Sequence, residues 1–244
     1  MTAYLAALPL LLLTLLPLTT TAKRTENDPL SLGVRALRNN ELGAAENFLS
    51  TAYRQNRKDT VCIYAYIETC IRLRKVRKAE SLIKDAMDEY PKSVELQLKL
   101  GIVQNLKGDY TAAQNTFQKV EGMLSKGSSD WVTLYINHGL AILYTGDAEA
   151  SLPWFDKALD LSPRNATAYN YKGSAFYMMK DYVSAVDAYD ASIDIDNRNV
   201  MSFYNRGMAY LKSKRQHEAC KDFHMACKMG NTNACKTVML ECKK

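Results

Sequence analysis

Glycine recurs at Gly139, Gly173 and Gly207, each 34 residues after the last, and this periodicity restricts the fold more than any other feature of the chain. Twelve residues after each glycine stands a small side chain, Ser151, Ala185 and Ala219. Four further on comes a ring, Phe155, Tyr189 and Phe223, followed by Ala158, Ser192 and Ala226. The frame runs backward through Gly101, Ile67 and Gly33, with Ala113, Ala79 and Ala45 and with Phe117, Ile83 and Leu49 at the matching places. It slips once, where Ser128 to Trp131 are inserted between Gly101 and Gly139. A unit of this length cannot bury its apolar face alone, so neighbouring units must stack to make the core.

Two antiparallel helices joined by a tight turn satisfy the pattern. Small residues let the helices approach, and the ring four residues on fills the gap along the same helical face. Lys107-Gly108-Asp109 and Thr145-Gly146-Asp147 read as such turns, and Pro91 and Pro163 stop second helices because proline cannot continue one. With only 6 Pro in 244 residues and abundant Ala, Leu and Lys, the expectation is all-α.

With small residues at these intervals, an aromatic four places later and proline at the end, the chain resembles the tetratricopeptide repeat (TPR) family. The resemblance covers residues 26 to 233, as six repeats starting at Glu26, Thr60, Val94, Val132, Ala166 and Val200. It is tightest in the last three and looser in the first two, where Ile67 replaces the small residue and Leu49 and Ile83 replace the ring. The resemblance implies a right-handed α-solenoid of about six helix-turn-helix repeats closed by a C-terminal capping helix. The expected division is repeats one to three over 23–127, an insert or hinge at 128–131, repeats four to six over 132–233, and a cap over 234–244 that carries Ala234, Val238, Met239 and Leu240 at helical spacing. Trp131 beside the insert is expected to dock the two sides together.

Residues 1–22 contain no charged side chain and carry an apolar run from Leu5 to Leu16, then Pro17, Thr19 to Thr21 and Ala22. That reads as a signal peptide, exporting the body to a periplasm, secretory lumen or extracellular space. The alternative is a membrane anchor through residues 5–22 that ends at Lys23 and Arg24.

In the family's solenoid the first helices line a concave groove, which implies a peptide-binding face made of Asn137, Leu140, Asn170, Tyr171, Ser174, Tyr177, Tyr204, Asn205 and Met208. Tyrosine offers contact area at low entropic cost, methionine adapts its shape, and an amide can pair with both sides of an extended backbone. Relatives that grip acidic tails place cations in this groove. Here Ile136, Asn170, Tyr204, Leu140, Ser174 and Met208 hold those places, which favours a neutral segment with apolar side chains. A cluster at Arg72, Arg74, Lys75, Arg77 and Lys78 could touch anionic lipid, which leaves peripheral membrane association open, although turns between helices are ordinarily charged and solvated. A net charge of +6 spread along the chain, with no aromatics interleaved in the cluster, argues against nucleic acid.

No phosphate-cradling loop, HExxH, GxSxG or CxxC occurs, and no cofactor, catalytic residue or metal ligand is expected. His217, Cys220 and His224 share a helical face but mix a turn position with a core one. Cys220, Cys227, Cys235 and Cys242 are placed symmetrically about residue 231. Helices folding back there would bring Cys227 to Cys235 and Cys220 to Cys242, and cysteine-rich relatives of these repeats look similar around Ala226-Cys227 and Ala234-Cys235. Cysteines seven apart on one helix stand about 10 Å apart along its axis, too far for a bridge within either helix. If the body stays in a reducing compartment, the four remain small reduced core residues. Cys62 and Cys70 are expected as buried free thiols.

The expected function is an exported, monomeric scaffold or adaptor that binds a protein or peptide segment in assembly of an envelope or secretory complex. The alternatives are a self-assembling structural solenoid and, less favoured, a cysteine-dependent enzyme.

Overall fold

The computed structural model describes residues 26–242, so the segment read as a signal or anchor, and Lys243 and Lys244 of the cap, lie outside the described residues. Among the described residues there are thirteen α-helices and no strand. They are α1 (Pro29–Arg38), α2 (Leu42–Gln55), α3 (Thr60–Arg72), α4 (Val76–Glu89), α5 (Val94–Lys107), α6 (Tyr110–Glu121) and α7 (Asp130–Tyr144), then α8 (Ala148–Leu161), α9 (Ala166–Met178), α10 (Tyr182–Ile195), α11 (Val200–Lys212), α12 (Gln216–Lys228) and α13 (Thr232–Glu241). Four of the six expected repeat starts, Thr60, Val94, Ala166 and Val200, are the first residues of helices. No helix among the described residues is long and apolar enough to cross a membrane.

The helices begin where side chains can satisfy their free amides. Asp28 caps α1 by accepting from Ser31 N at 2.9 Å, with Pro29 as its first residue. Asn165 and Asn199, one period apart, cap α9 and α11 through Ala168 N and Ser202 N, while Asp147 and Asp181 cap α8 and α10. The turns inside the hairpins are periodic too. Asn40, Arg74, Gly108, Gly146, Lys180 and Lys214 occupy the same place in successive hairpins, and all have positive φ. Glycine adopts that conformation freely, whereas the other four residues pay for it.

The chain divides into two compact units, the first ending at Lys99 and the second beginning at Leu100, so the boundary falls within α5. In the first unit α1 packs on α2, α2 on α3 and α3 on α4, around Leu37, Leu49, Ile63, Ile67 and Ile83. Cys62 and Cys70 of α3 are buried and outside the two disulfides, Cys62 Sγ donating to Leu49 O at 3.7 Å, and burial pushes the Cys70 thiol up to about 11.

In the second unit successive helices from α6 to α13 pack in order. The rings Phe117, Phe155, Tyr189 and Phe223 are almost wholly buried, each lying against a glycine of the partner helix. A Cβ built on Gly173 would stand 2.7 Å from Cδ1 and Cε1 of Tyr189, which is why the period demands glycine there. The inserted residues 128–131 lie inside this unit. Gln114 of α6 donates to Ala141 O at 3.3 Å and to Thr145 Oγ1 at 3.0 Å, and Asn105 donates to Asn137 O at 2.8 Å, so hydrogen bonds bridge the two sides of the insert. Trp131 stays beside it, donating its indole N–H to Ser125 O at 2.9 Å.

The capping helix α13 packs on α12. Cys220 lies 5.6 Å from Cys242 and Cys227 lies 4.7 Å from Cys235, Cα to Cα, and each pair is bonded. The apolar face of α13 is narrower than its sequence implies. Ala234 is buried and Val238 half-buried, but Met239 and Leu240 are 64% and 72% exposed, because five and six residues beyond Ala234 the helix has turned to its far side.

Candidate functional site

The face expected to bind a peptide lies on α7, α9 and α11, and the structure spends part of it internally. Asn170 is buried. It donates to Ser202 Oγ at 2.7 Å and accepts from Asn205 Nδ2 at 3.5 Å. Ser202 is 2.7 Å from Ser192 Oγ, which donates to Ala166 O at 2.8 Å, closing a polar chain through α9, α10 and α11. A buried amide must be paired in this way, and these bonds tie one repeat to the next through Asn170. Asn137 donates to Thr133 O at 2.8 Å within its own helix, while Ser174 donates to Asn170 O at 3.0 Å and accepts from the Tyr189 hydroxyl at 3.2 Å.

The aromatic and aliphatic members remain half-open. Leu140, Tyr171, Tyr177, Tyr204, Asn205 and Met208 are all half-buried, and Met178 is exposed beside them. The Tyr171 ring stacks on Phe155 at 6.1 Å, and the Tyr204 ring leans on Phe223 at 5.8 Å. Tyr177 meets Tyr182 edge-on at 5.6 Å. Burial, with Tyr182 and Tyr204 nearby, holds the Tyr177 hydroxyl above its ordinary pKa, so the face stays uncharged.

Sequence reasoning passed over an ionic ladder on the same helices. Lys172 of α9 pairs with Asp156 of α8 at 2.6 Å. One period on, Arg206 of α11 reaches Asp190 of α10 at 2.5 Å and grips Asp222 of α12 with two bonds of 2.8 and 2.7 Å. The bidentate fork on nearly buried Asp222 fixes α11 against α12. Two facing carboxylates keep the guanidinium charged. Asp222 is the strained partner, since burial raises its carboxyl and Arg206 only partly offsets that. The signal was present as opposite charges sixteen residues apart, Asp156 with Lys172 and Asp190 with Arg206, repeated at the period.

The first unit holds the basic turn cluster. Arg72 donates to Leu37 O at 3.3 Å and Asn40 Oδ1 at 2.6 Å, Lys75 pairs with Glu46 at 2.6 Å, and Lys78 lies 5.8 Å from the Tyr66 ring, so three of the five cations work within the fold. Elsewhere in that unit a cleft of about 290 Å³ is lined by Tyr53, Arg57, Lys58, Asp85, Glu89 and Tyr90 and crossed by the Lys58–Glu89 pair at 2.6 Å. Of the His217, Cys220 and His224 face, Cys220 is committed to its disulfide, and His224 Nδ1 lies 2.7 Å from Cys220 O.

The tetratricopeptide repeat family model matches residues 136–200, which span the rest of α7 through α10 and the start of α11. Residues 136–200 are thus similar to tetratricopeptide repeats, and the described residues share the all-α hairpin fold of TPR proteins. No curated protein matches it in sequence. Solved structures match it over much of its length. A chain of the APC/C hetero-tetramer Cut9-Hcn1 superposes with a TM-score of 0.77 at 16% identity over 88% of this chain and 42% of that one. A TPR protein from Parabacteroides merdae gives a TM-score of 0.73 at 18% identity, covering 88% and 83% of the two chains. YrrB, described as a TPR protein with an unusual peptide-binding site, gives 0.51 at 16% identity, covering 78% and 97%. This chain therefore spans less than half of the Cut9-Hcn1 chain, and these likenesses carry the fold alone.

Proposed function

We propose that this chain is an exported scaffold that holds an extended or helical protein segment on the first-helix face of its last three repeats. The observation that supports it is the half-open set of Leu140, Tyr171, Tyr177, Tyr204 and Met208, with Met178 exposed alongside. Large rings held in place by Phe155 and Phe223 lose little entropy on binding. No charge has to be stripped of water on this face, which suits an apolar segment. Export is supported by the apolar run before Lys23 and by two bonded cysteine pairs, a chemistry of oxidising compartments. Assembly of an envelope or secretory complex is the role such a scaffold would fill there.

The test is capture from the native compartment with the wild-type chain and with Tyr171→Ala/Tyr204→Ala. Proteins held by wild type should be lost from the double variant while helicity stays near wild type, because hot-spot rings carry binding out of proportion to their number. Equal capture by both would place the binding face elsewhere. A second reading, end-to-end self-association, is favoured by exposed Met239 and Leu240 on α13. Light scattering across a dilution series separates the two, since a capped array stays monomeric.

A further inference from the structure

The second unit contains an aromatic corner already filled by a cation from the chain itself. Trp131 and Tyr135 of α7 and Trp154 of α8 form a run, with ring centroids 5.3 Å apart from Trp131 to Tyr135 and 5.9 Å from Tyr135 to Trp154. Lys157 Nζ sits 4.3 Å from the Trp154 centroid and 5.4 Å from that of Tyr135. Among the described residues no carboxylate pairs with Lys157, so its partners are the two rings. The walls are fixed. Trp131 is pinned through its indole N–H to Ser125 O, and Trp154 lies against the buried His138 at a centroid distance of 4.0 Å. The occupant is not fixed, being an exposed residue on a flexible stem, whereas all three rings are half-buried.

An ammonium is a poor tenant for such a corner. Ring faces attract any cation within about 6 Å, but a primary ammonium gives up strong hydration to lie there. A trimethylammonium group is weakly hydrated, presents methyl surface to the rings and gains the same attraction. Glu121 lies close enough to act, after burial itself, on the Tyr135 hydroxyl and adds negative potential to the same side.

We propose that the Trp131, Tyr135 and Trp154 corner is a binding site for a trimethylammonium group, with Lys157 as its internal competitor. The chemistry is that of free choline and of the choline headgroup of a lipid. The proposal stands apart from the peptide-binding reading, because it uses none of that reading's residues.

The chain has 2 Trp in all, and both line the corner, so fluorescence excited selectively in tryptophan, beyond the absorption of the 15 Tyr, reports on this site. Full-length wild type, Lys157→Gln and Tyr135→Leu would be titrated with choline chloride against matched sodium chloride. Lys157→Gln should show a saturable change at roughly two- to fivefold lower choline than wild type, the size of one exposed cation–π contact. Tyr135→Leu should lose the response, and Tyr135→Phe, which keeps the ring, should retain it even if the leucine variant folds poorly. Phosphatidylcholine vesicles run in parallel assign the source. A shift with vesicles as well as choline points to the lipid headgroup, and a shift with choline alone to the free molecule. A choline response indistinguishable from sodium chloride in Lys157→Gln would overturn the site, as would equal half-saturation in Lys157→Gln and wild type.

Discussion

Replacing Gly173 by alanine tests the packing that generates the period. In an isolated helix the change would help, since alanine is worth about 0.8–1.0 kcal/mol over glycine. In this protein the new Cβ would lie 2.7 Å from two ring carbons of Tyr189 and 3.0 Å from a third. Tyr189 is 2% exposed, with its hydroxyl held 3.2 Å from Ser174 Oγ, so the ring cannot slide without losing that bond or displacing the neighbouring hairpin. Overpacking costs about 1–3 kcal/mol, and a ring this confined takes the upper part of that range, about 2–3 kcal/mol, so after the helix gain the net loss is about 1–2 kcal/mol. Gly43, near the start of α2 with nothing within 4 Å of its would-be Cβ, is the internal control and should lose nothing from the same substitution, gaining at most about 0.5 kcal/mol in the first turn. Thermal melts followed by circular dichroism would read a fall of about 2–8 °C for Gly173→Ala, on the scale of 2–4 °C per kcal/mol for a domain of this size. Adding Tyr189→Leu should recover part of the loss, because the two positions share one space. A Gly173→Ala protein that melts at or above wild type would refute the requirement for close approach.

Three further outcomes are expected. His138 is held neutral, its pKa lowered to about 4 by burial and by the charge of Lys157. Since the unfolded imidazole titrates near 6.5, its contribution is complete above that pH and drains away as pH falls toward 4, by about 3 kcal/mol in all; urea midpoints of wild type and His138→Phe should diverge over this window, and parallel curves would contradict it. Reduction of the Cys220–Cys242 and Cys227–Cys235 bonds should loosen α13 by about 2–4 kcal/mol, seen as faster hydrogen exchange of its amides than in the oxidised protein, and unchanged exchange would show that the bonds do not hold the cap. Lys180 sits at φ 64° where the preceding hairpin has Gly146, so Lys180→Gly should raise the melting midpoint by the equivalent of roughly 0.5–1 kcal/mol, and a lower midpoint would mean that Lys180 earns its place through contacts.

The helical hairpins were legible because their determinants are local and recur. Gly139, Gly173 and Gly207 each meet a ring sixteen residues later, and a spacing that repeats three times can be read without coordinates. The cysteines about residue 231 were legible for a similar reason, since a tight turn converts sequence symmetry into proximity. The positive φ at Lys180 and Lys214 was not, because lysine carries no sign of a left-handed turn and only the frame shared with Gly108 and Gly146 marks the place. The unit boundary within α5 was equally hidden. An insert of flexible composition at 128–131 drew attention, while the division at Lys99 and Leu100 lies inside a continuous helix with no compositional mark.

The candidate site was legible as a face but not as a set of free groups, and the physical reason lies in how stacked repeats satisfy their polar atoms. A frame places Asn170 on the first helix of its repeat; it does not say that Ser202, 32 residues on, will stand 2.7 Å from its amide nitrogen. Once that bond forms, Asn205 is drawn to the remaining oxygen at 3.5 Å, and Asn170 and Asn205 together hold one repeat to the next. The rings keep part of their surface open. Tyr171, Tyr177 and Tyr204 rest one face on the core and leave the rest half-open, so any affinity of this surface must come from aromatic and methionine contact. On the proposed reading, a segment held on this face would be chosen by shape and apolar content, so its capture should change little as sodium chloride is raised, and a steep loss with salt would contradict it.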